Sequence, residues 1–237
     1  MSLLVGAAHR GAGGKRIMAK RTREVGVVRA VDHALDVLEA FSGQADELGV
    51  TELSKSLGLS KNNVFRLLAT FESKDYIEQN PKTEGYRLGL KVFELGEIYR
   101  HQSGLLKQAR PVLKKMVAKC NEAGYIAVLR GWEVIYLDMV DTTKSIKVIS
   151  RVGKRLPAYC TAIGKAQLAF ESEDEIDRVF RNRTLTRFTR HTITSLAKLK
   201  EQFAEIVAKG YSLDRGEYEE EIRCVGVPVR DLSLIHI

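Results

Sequence analysis

Proline and cysteine are scarce in this sequence, and long hydrophobic runs are absent from it. The 237 residues include 4 prolines and 3 cysteines, and 44% of them are hydrophobic. This composition excludes a collagen, a low-complexity chain and a small disulfide-rich domain. All hydrophobic runs are shorter than the roughly 18 residues that a membrane-spanning helix needs, and the N-terminus lacks the pattern of a secretory signal. We therefore expect a cytoplasmic protein of one or two domains, and we favour two.

Few residues point to a metal centre or to an enzyme. Cys120, Cys160 and Cys224 are far apart and odd in number, which argues against a disulfide framework and against a zinc site. We expect three reduced thiols, no metal and no cofactor. The glycine-rich stretch at 11–15 lacks the spacing of a phosphate-binding loop, and neither GxSxG nor HExxH occurs. The acidic run 219–221 is interpreted as a solvated strand edge.

The net charge of +8 is unevenly distributed along the chain. Residues 1–26 carry six basic side chains and one acidic one, whereas residues 27–102 carry nine basic and twelve acidic ones. A basic, glycine-rich segment is typically disordered and attracts phosphates without regard to sequence. We therefore expect residues 1–26 to form a basic disordered arm. The alternative is that Met18 is the true start and that the arm has no function.

From residue 27 onward the pattern predicts three helices and a hairpin. Apolar residues at three- and four-residue spacing predict a first helix that ends near residue 41; its apolar face consists of Val28, Val31, Leu35 and Leu38. Thr51 is predicted to cap a short second helix, and Ser60 a third. The third helix should bury Val64, Leu67, Leu68 and Phe71. Strands at 76–78 and 86–88 should flank a turn rich in helix and strand breakers.

This order of elements outlines a winged helix-turn-helix. In that motif the second helix of the pair packs one face on the core and presents the other to the DNA major groove. Asn can bond to adenine and Arg to guanine, while helix-end amides can meet a phosphate. The predicted DNA-binding residues are Thr51, Ser60, Lys61, Asn62, Asn63, Arg66, Lys82 and Arg87. The alternative interpretation is a solvated helix start and, for Lys82 and Arg87, a solvated turn.

The second half of the chain mixes strand and helix patterns. Helices are predicted at about 90–101, 105–120, 174–180 and 195–209, with a further helix starting after Gly164. Strands are predicted at 125–129, 134–139, 146–149, 211–214 and 224–229. This mixture favours an antiparallel-dominated α/β sandwich with helices packed on the sheet, and thus an α+β fold.

Five stretches resemble the IclR family of bacterial transcriptional regulators. They are VVRAVDHALDVLEAF, LGVTELSKSLGLSKNNVFRLLATFESKDYI, GYRLGLKVFELG, RVGKRLPAYCTAIGKAQLA and GYSLDRGEYEEEIRCVGVPVRD. Together they run from Val27 to Asp231 in the order and spacing of the family. The resemblance implies a winged helix-turn-helix domain at 27–89, a linker helix at 90–102 and a GAF-like effector-binding domain at 103–231.

The resemblance also implies a small-molecule effector, namely a small organic acid or an aromatic catabolite. The pocket residues that it implies are Val148, Leu156, Ala162, Ile163, Asp214, Ile222 and Cys224. The residues themselves support a carboxylate, because backbone amides at 161–165 begin a helix and suit an anion. Ile163 is bulkier than the residue that some relatives have there. Tyr159 is interpreted either as a pocket aromatic or as a packing residue.

The end of the sequence departs from the family. The resemblance predicts a further turn, strand and helix after residue 231, so we expect a C-terminally truncated copy. The last six residues, LSLIHI, match one reading frame of a transposase sequencing adaptor, and we expect residues 232–237 to be a non-native scar.

These observations predict a DNA-binding transcriptional regulator, a repressor in our interpretation, with an activator as the alternative. It should bind a pseudo-palindromic operator in double-stranded DNA as a homodimer or tetramer. The alternative, from a different class, is a metabolite-processing enzyme in which residues 125–231 are catalytic and the N-terminal domain serves only for interaction.

Overall fold

The computed structural model describes residues 2–7, 26–42, 45–145 and 151–229. Within these ranges, residues 26–102 form one compact unit, and residues 103–229 form a second one together with strand β1 (Ser2–Ala7). No helix in the described part of the chain is long and apolar enough to cross a membrane. The strand predicted at 146–149 and the scar predicted at 232–237 lie outside the described residues.

The unit 26–102 consists of helices around a small core, with a two-stranded hairpin. Its elements are α1 (Arg29–Ala40), α2 (Val50–Leu57), α3 (Lys61–Glu72), β2 (Ile77–Gln79), β3 (Tyr86–Leu88) and α4 (Leu90–Gln102). The core is formed by Val37, Phe41, Leu48, Leu53, Val64, Leu68, Ile77 and Tyr86. Because α1, α2, α3 and the hairpin all contribute to it, this core fixes α3 with one face inward and the other outward.

A tight turn sets the angle between α2 and α3. Gly58 ends α2 in the left-handed conformation (φ 66°), which favours glycine. The Leu59 amide then donates to the Ser54 carbonyl at 3.2 Å, and the Ser54 hydroxyl donates to the Leu59 carbonyl at 2.6 Å. These two hydrogen bonds hold the turn rigidly in front of α3.

The prediction that Thr51 caps α2 was wrong. The helix begins at Val50, its N-cap is Gly49, and Thr51 is an exposed residue of the first turn. The reason is a long-range contact, since Leu48 and Tyr86 exchange backbone hydrogen bonds of 2.9 and 3.0 Å. This bridge keeps the chain extended at residue 48, and the helix starts directly after it.

The apolar face predicted for α1 is present, but much of it faces outward. Val28, Val31 and Leu35 are 63%, 55% and 51% exposed. The buried residue of α1 is Val37, which lies on another side of the helix. Helix α4 has no buried residue, and its aromatic residues Phe93 and Tyr99 are exposed. The unit therefore carries two helices with exposed apolar surface.

The second unit is built on a six-stranded sheet. Its elements after β1 are α5 (Gly104–Cys120), β4 (Gly124–Arg130), β5 (Glu133–Val140), β6 (Arg155–Pro157), a 3-10 turn (Ala158–Cys160), α6 (Ala162–Leu168), α7 (Glu173–Phe180), α8 (Leu196–Lys209), β7 (Ser212–Arg215) and β8 (Arg223–Val229). The strand order is β6-β5-β4-β1-β8-β7. The neighbours β4-β5, β5-β6 and β7-β8 are antiparallel, whereas β1 is parallel to both β4 and β8.

Successive side chains of a strand point to opposite faces, and the sheet therefore separates two cores. On one face Ile126 packs against Leu113 and Val117 of α5. On the other face Tyr125, Tyr136, Leu156 and Cys224 pack in one core with residues of α6, α7 and α8, such as Ile163 of α6. Gly226 lets α6 approach β8 closely, because a Cβ there would lie 2.5 Å from the Ala162 carbonyl oxygen.

One segment of the arm predicted to be disordered over residues 1–26 is a strand. Residues Ser2–Ala7 form β1, which lies between β4 and β8 and pairs with both. The segment SLLVGA has no proline and can therefore donate amide hydrogens to both neighbours. The remainder of the predicted arm, up to residue 25, lies outside the described residues.

Two further expectations for the second unit were wrong. Helix α6 begins at Ala162 rather than after Gly164, because the Thr161 hydroxyl accepts a 3.3 Å hydrogen bond from the Gly164 amide and caps the helix earlier. The acidic residues 219–221 lie in a turn between β7 and β8 and not on a strand edge. Strand β6 was not predicted, since three residues are too few to show a period.

Candidate functional site

The outward face of α3 is polar and positively charged. Val64 and Leu68 are 0% exposed and face the core, whereas Lys61, Asn62 and Arg66 are exposed. Residues four apart are neighbours on a helix surface, so Asn62 and Arg66 lie next to each other, one turn apart. This places an amide and a guanidinium side by side on the surface of the helix.

The N-terminus of α3 is capped as predicted. The Ser60 hydroxyl accepts a 3.2 Å hydrogen bond from the Asn63 amide, and the first turn contains no acidic residue. The positive end of the helix dipole therefore has no carboxylate from its own first turn, which favours an approaching phosphate. Asn63 is half-buried beside the cap and is less accessible than Asn62.

The hairpin places its two predicted residues differently. Arg87 lies opposite Glu78 in the ladder, and its Nε donates to the Glu78 carboxylate at 2.6 Å. Much of the Arg87 charge is therefore balanced within the hairpin. Lys82 is exposed in the turn, where its amide donates to Asn80 Oδ1 at 3.0 Å. Lys82 is the better placed of the two for a contact outside the unit.

Glu47 ties the hairpin turn to the segment that precedes α2. Its carboxylate accepts hydrogen bonds from Asn80 Nδ2 at 2.6 Å and from Thr83 Oγ1 at 2.5 Å. The bond from Thr83, followed by that from Asn80, lowers the pKa of Glu47 below its usual value. The turn that carries Lys82 is thus held by an ionised side chain 33 residues upstream of Asn80.

We predict that Glu47→Ala loosens this turn and leaves the three-helix core folded. Both hydrogen bonds to the turn are lost, while the buried residues around Val64 are untouched. DNA affinity should fall by less than for a substitution on α3, and proteolysis should cut the turn at 80–85 faster. The matched control is Asp46→Ala, an exposed acid next in the chain. Equal cleavage rates in Glu47→Ala and the parent would contradict the anchoring role.

One exposed residue of this surface was missed by sequence reasoning. Phe65 lies on α3 beside Arg66 and is 53% exposed. The sequence indicates the exposure of Phe65 only indirectly, because Phe65 does not belong to the buried stripe of α3. An exposed aromatic ring at this place can contact a thymine methyl group.

In the second unit, most of the predicted pocket residues are brought together on the α6 face of the sheet. Asp214 and Cys224 are paired across β7 and β8. Leu156, Ala162, Ile163, Ile222 and Cys224 belong to or pack on the same core. Val148 lies outside the described residues. Tyr159 is a packing residue, since it is 1% exposed and its hydroxyl donates to the Thr186 carbonyl at 2.7 Å.

The predicted anion site at 161–165 is less open than expected. The Gly164 amide is taken by Thr161, and every residue of α6 is buried. Lys165 is 0% exposed; its Nζ donates to the Leu213 carbonyl at 2.7 Å and forms an ion pair with Glu217. Asp214 Oδ1 accepts the amides of Gly216 and Glu217 at 3.0 and 2.8 Å. Burial raises the pKa of both Asp214 and Glu217.

The two buried cysteines are poor nucleophiles. Burial raises the pKa of Cys224 to about 12, and it also raises the pKa of Cys160. Cys120, at the end of α5, is exposed. Since the thiolate is the reactive form, neither buried thiol is prepared for covalent chemistry.

We predict that one thiol of the folded protein reacts rapidly with an aromatic disulfide reagent near pH 8. That thiol is Cys120, whereas Cys160 and Cys224 should react only after unfolding. The reagent should release one aromatic thiolate per chain from the folded protein and three per chain after denaturant is added. Rapid release from Cys120→Ser would show that a buried thiol is accessible.

Comparisons with known proteins agree with this geometry. Residues 30–81 match the model of the IclR helix-turn-helix domain, and residues 98–234 match that of the bacterial transcriptional regulator IclR C-terminal domain. The HTH-type transcriptional regulator XynR of Escherichia coli is 34% identical over 203 residues, which cover 86% of this chain and 81% of XynR. KdgR of the same organism is 33% identical over 204 residues, 86% of this chain and 77% of KdgR.

A solved structure extends the match to the fold. The crystal structure of an IclR transcriptional regulator from Alicyclobacillus acidocaldarius superimposes with a TM-score of 0.80 at 27% identity. The match covers 89% of this chain and 85% of that one.

A winged helix-turn-helix followed by a separate effector-binding domain defines a DNA-binding transcriptional regulator. Because both family domains match in order and together span most of the chain, the protein belongs to the IclR family. The matched relatives are regulators. The alternative of an enzyme finds no support among them.

Proposed function

We propose that the protein is a repressor whose binding to an operator is modulated by a small organic acid. The observation that carries the DNA-binding half is the capped α3, which turns Lys61, Asn62 and Arg66 outward while Val64 and Leu68 are buried. In this proposal residues 27–89 bind DNA, 90–102 form a linker helix and 103–231 bind the effector. As a DNA-binding regulator it would act in the bacterial cytoplasm, where the chromosome lies.

We assign the base contacts to the exposed polar face of α3. Asn62 can bond bidentately to an adenine and Arg66 to a guanine, because both side chains carry the matching groups on adjacent turns. Ser60, Lys61 and the helix N-terminus would meet phosphates, with Thr51 at the start of α2 and Lys82 at the hairpin tip as further backbone contacts. Asn63 and Arg87 are weaker candidates, since Asn63 is half-buried and the Arg87 side chain is paired with Glu78.

The exposed apolar helices support a homodimer. Val28 just before α1, Val31 and Leu35 of α1, and Phe93 and Tyr99 of α4 are each more than half exposed. Exposed apolar patches of this kind mark association surfaces in soluble proteins. A two-fold dimer would present two copies of α3 to half-sites about one DNA turn apart, which is why we propose a pseudo-palindromic operator.

The choice of a repressor and of an acidic effector draws on relatives. The transcriptional repressor IclR of Escherichia coli and the acetate operon repressor of Salmonella typhimurium are 28% and 26% identical to this chain. An IclR homologue from Microbacterium hydrocarbonoxydans was crystallised with 4-hydroxybenzoate. An effector can change operator occupancy only if it binds one arrangement of the domains better than another.

The test is a selection of DNA ligands from a random duplex pool with the purified full-length chain. The proposal predicts enrichment of one pseudo-palindromic sequence and weaker binding of that sequence when an effector acid is added. Binding should also weaken steeply with salt, because phosphate contacts release counterions. Failure to enrich any sequence, together with turnover of a carboxylate by the same preparation, would favour the enzyme alternative.

A further inference from the structure

A buried hydroxyl on the α6 face of the sheet has an unused hydrogen-bonding group. Tyr125 of β4 is 2% exposed, and its Oη has no hydrogen-bond partner among the described residues. Buried tyrosine hydroxyls ordinarily have a partner, because leaving one unpaired is costly. The Tyr125 ring packs edge-on against Tyr136, with 5.7 Å between centroids and an angle of 89°. The hydroxyl is therefore held in a fixed position.

A guanidinium lies beside the core that contains Tyr125, because Arg151 contacts Tyr218, which packs on that core. The Arg151 side chain is 14% exposed, and its Nη2 donates to Glu219 Oε1 at 2.6 Å. Its Cζ is 5.5 Å from the centroid of the Tyr218 ring. Both contacts come from the turn between β7 and β8. A guanidinium has five N–H groups, so one bond to Glu219 leaves donors for a second acceptor.

Arg151 lies in a turn that is bonded to the strand beside Tyr125: the Gly153 amide donates to the Tyr136 carbonyl at 2.8 Å, and the Lys154 amide donates to the Arg151 carbonyl at 2.8 Å. Burial raises the pKa of Tyr125, Tyr136, Asp214 and Cys224, and the positive charge of Arg151 opposes this rise in all four. These four residues line the α6 face on β4, β5, β7 and β8. The positive charge of Arg151 therefore acts on the face of the sheet that carries Asp214 and Cys224.

We propose that Arg151 and the Tyr125 hydroxyl together bind the carboxylate of the effector. The proposal rests on the proposed function, which supplies an acidic ligand, and it names two residues that sequence reasoning did not. A carboxylate accepts two parallel hydrogen bonds from a guanidinium and a third from a phenol. A neutral amide has one acceptor oxygen in place of two and turns its own N–H donors toward the guanidinium, so the pair selects acids over their amides.

The experiment measures ligand binding to the full-length chain by calorimetry at fixed pH and salt. The probes are 4-hydroxybenzoate, benzoate and pyruvate, each compared with its neutral amide. At least one acid should bind the parent chain, and its amide should bind at least about tenfold more weakly. Arg151→Gln should weaken binding of that acid by about tenfold or more, and Tyr125→Phe should weaken it severalfold. The matched control is Arg155→Gln, whose exposed guanidinium lies 3.7 Å from Glu133 on the next strand.

Each outcome decides between the proposals. Undiminished acid binding by both Arg151→Gln and Tyr125→Phe, or equal binding of acid and amide, overturns the assignment of the two residues and leaves the proposed function intact. No binding of any acid contradicts both this assignment and the effector half of the proposed function, while selection of an operator still tests the DNA-binding half. Tyr125→Phe removes a single oxygen, so it remains informative if Arg151→Gln does not fold.

Discussion

Arg66→Ala is expected to abolish specific binding to the selected operator while leaving the protein folded. Arg66 is exposed on α3, and its carbonyl accepts a hydrogen bond from Thr70 Oγ1 at 2.8 Å. A bidentate contact to guanine contributes roughly 1–3 kcal/mol. In the proposed dimer the loss occurs in both half-sites, so affinity should fall at least about thirtyfold. The measurement is the dissociation constant for operator and for random duplex DNA, each at two salt concentrations.

Comparison of operator with random DNA distinguishes a base contact of Arg66 from its general attraction to phosphates. Binding of Arg66→Ala to random DNA should change little, because that binding depends on phosphates. The matched control is Arg87→Ala, which removes a guanidinium that is already paired with Glu78 and should have a much smaller effect on the operator. An equal loss on operator and random DNA, or an equal loss for both variants, would contradict base recognition by Arg66.

Removal of β1 is expected to unfold the sheet domain selectively. A chain that starts at Met18 lacks Ser2–Ala7, and β4 and β8 then lose the strand that pairs with both of them. Each lost backbone hydrogen bond contributes about 1 kcal/mol, so the free energy of unfolding of this unit should fall by on the order of 5 kcal/mol. That is comparable to the whole stability of a typical domain. Thermal unfolding followed by calorimetry measures it.

A point substitution shows whether the loss of β1 itself, and not the shortening of the chain, lowers the stability. Val5→Pro in the full-length chain removes an amide donor in the middle of a central strand, where proline is not tolerated. Ala12→Pro, beyond the strand, is the matched control. The helix-turn-helix unit should keep its own unfolding transition in all three variants. Identical transitions of the sheet domain in the full-length chain and in the chain from Met18 would show that β1 does not stabilise it.

The elements that the sequence predicts correctly are those that nearby residues determine. The start of α3 was predicted because a capping serine and an apolar stripe at helical spacing lie within 12 residues. The start of α2 was mispredicted because a bridge between Leu48 and Tyr86 determines it. The place of β1 could not be predicted at all, because its partners β4 and β8 are more than 100 residues away in sequence.

The same distinction applies to the candidate sites. The outward residues of α3 follow from the helical period alone, so Lys61, Asn62 and Arg66 could be named from the sequence. Tyr125 lies on β4, and Arg151 contacts the turn between β7 and β8; no sequence pattern links these two residues. The predicted anion site at 161–165 was based on exposed helix amides, a property that burial of α6 removes.

The most direct test of base recognition by α3 removes the contacted atom from the DNA. Replacing a half-site guanine with 7-deazaguanine deletes the N7 acceptor in the major groove. The parent chain should bind this operator at least about tenfold more weakly than the unmodified one. Arg66→Ala should bind the two operators equally, because the lost acceptor no longer has a donor. The same penalty in the parent and in Arg66→Ala at every half-site guanine would contradict the account.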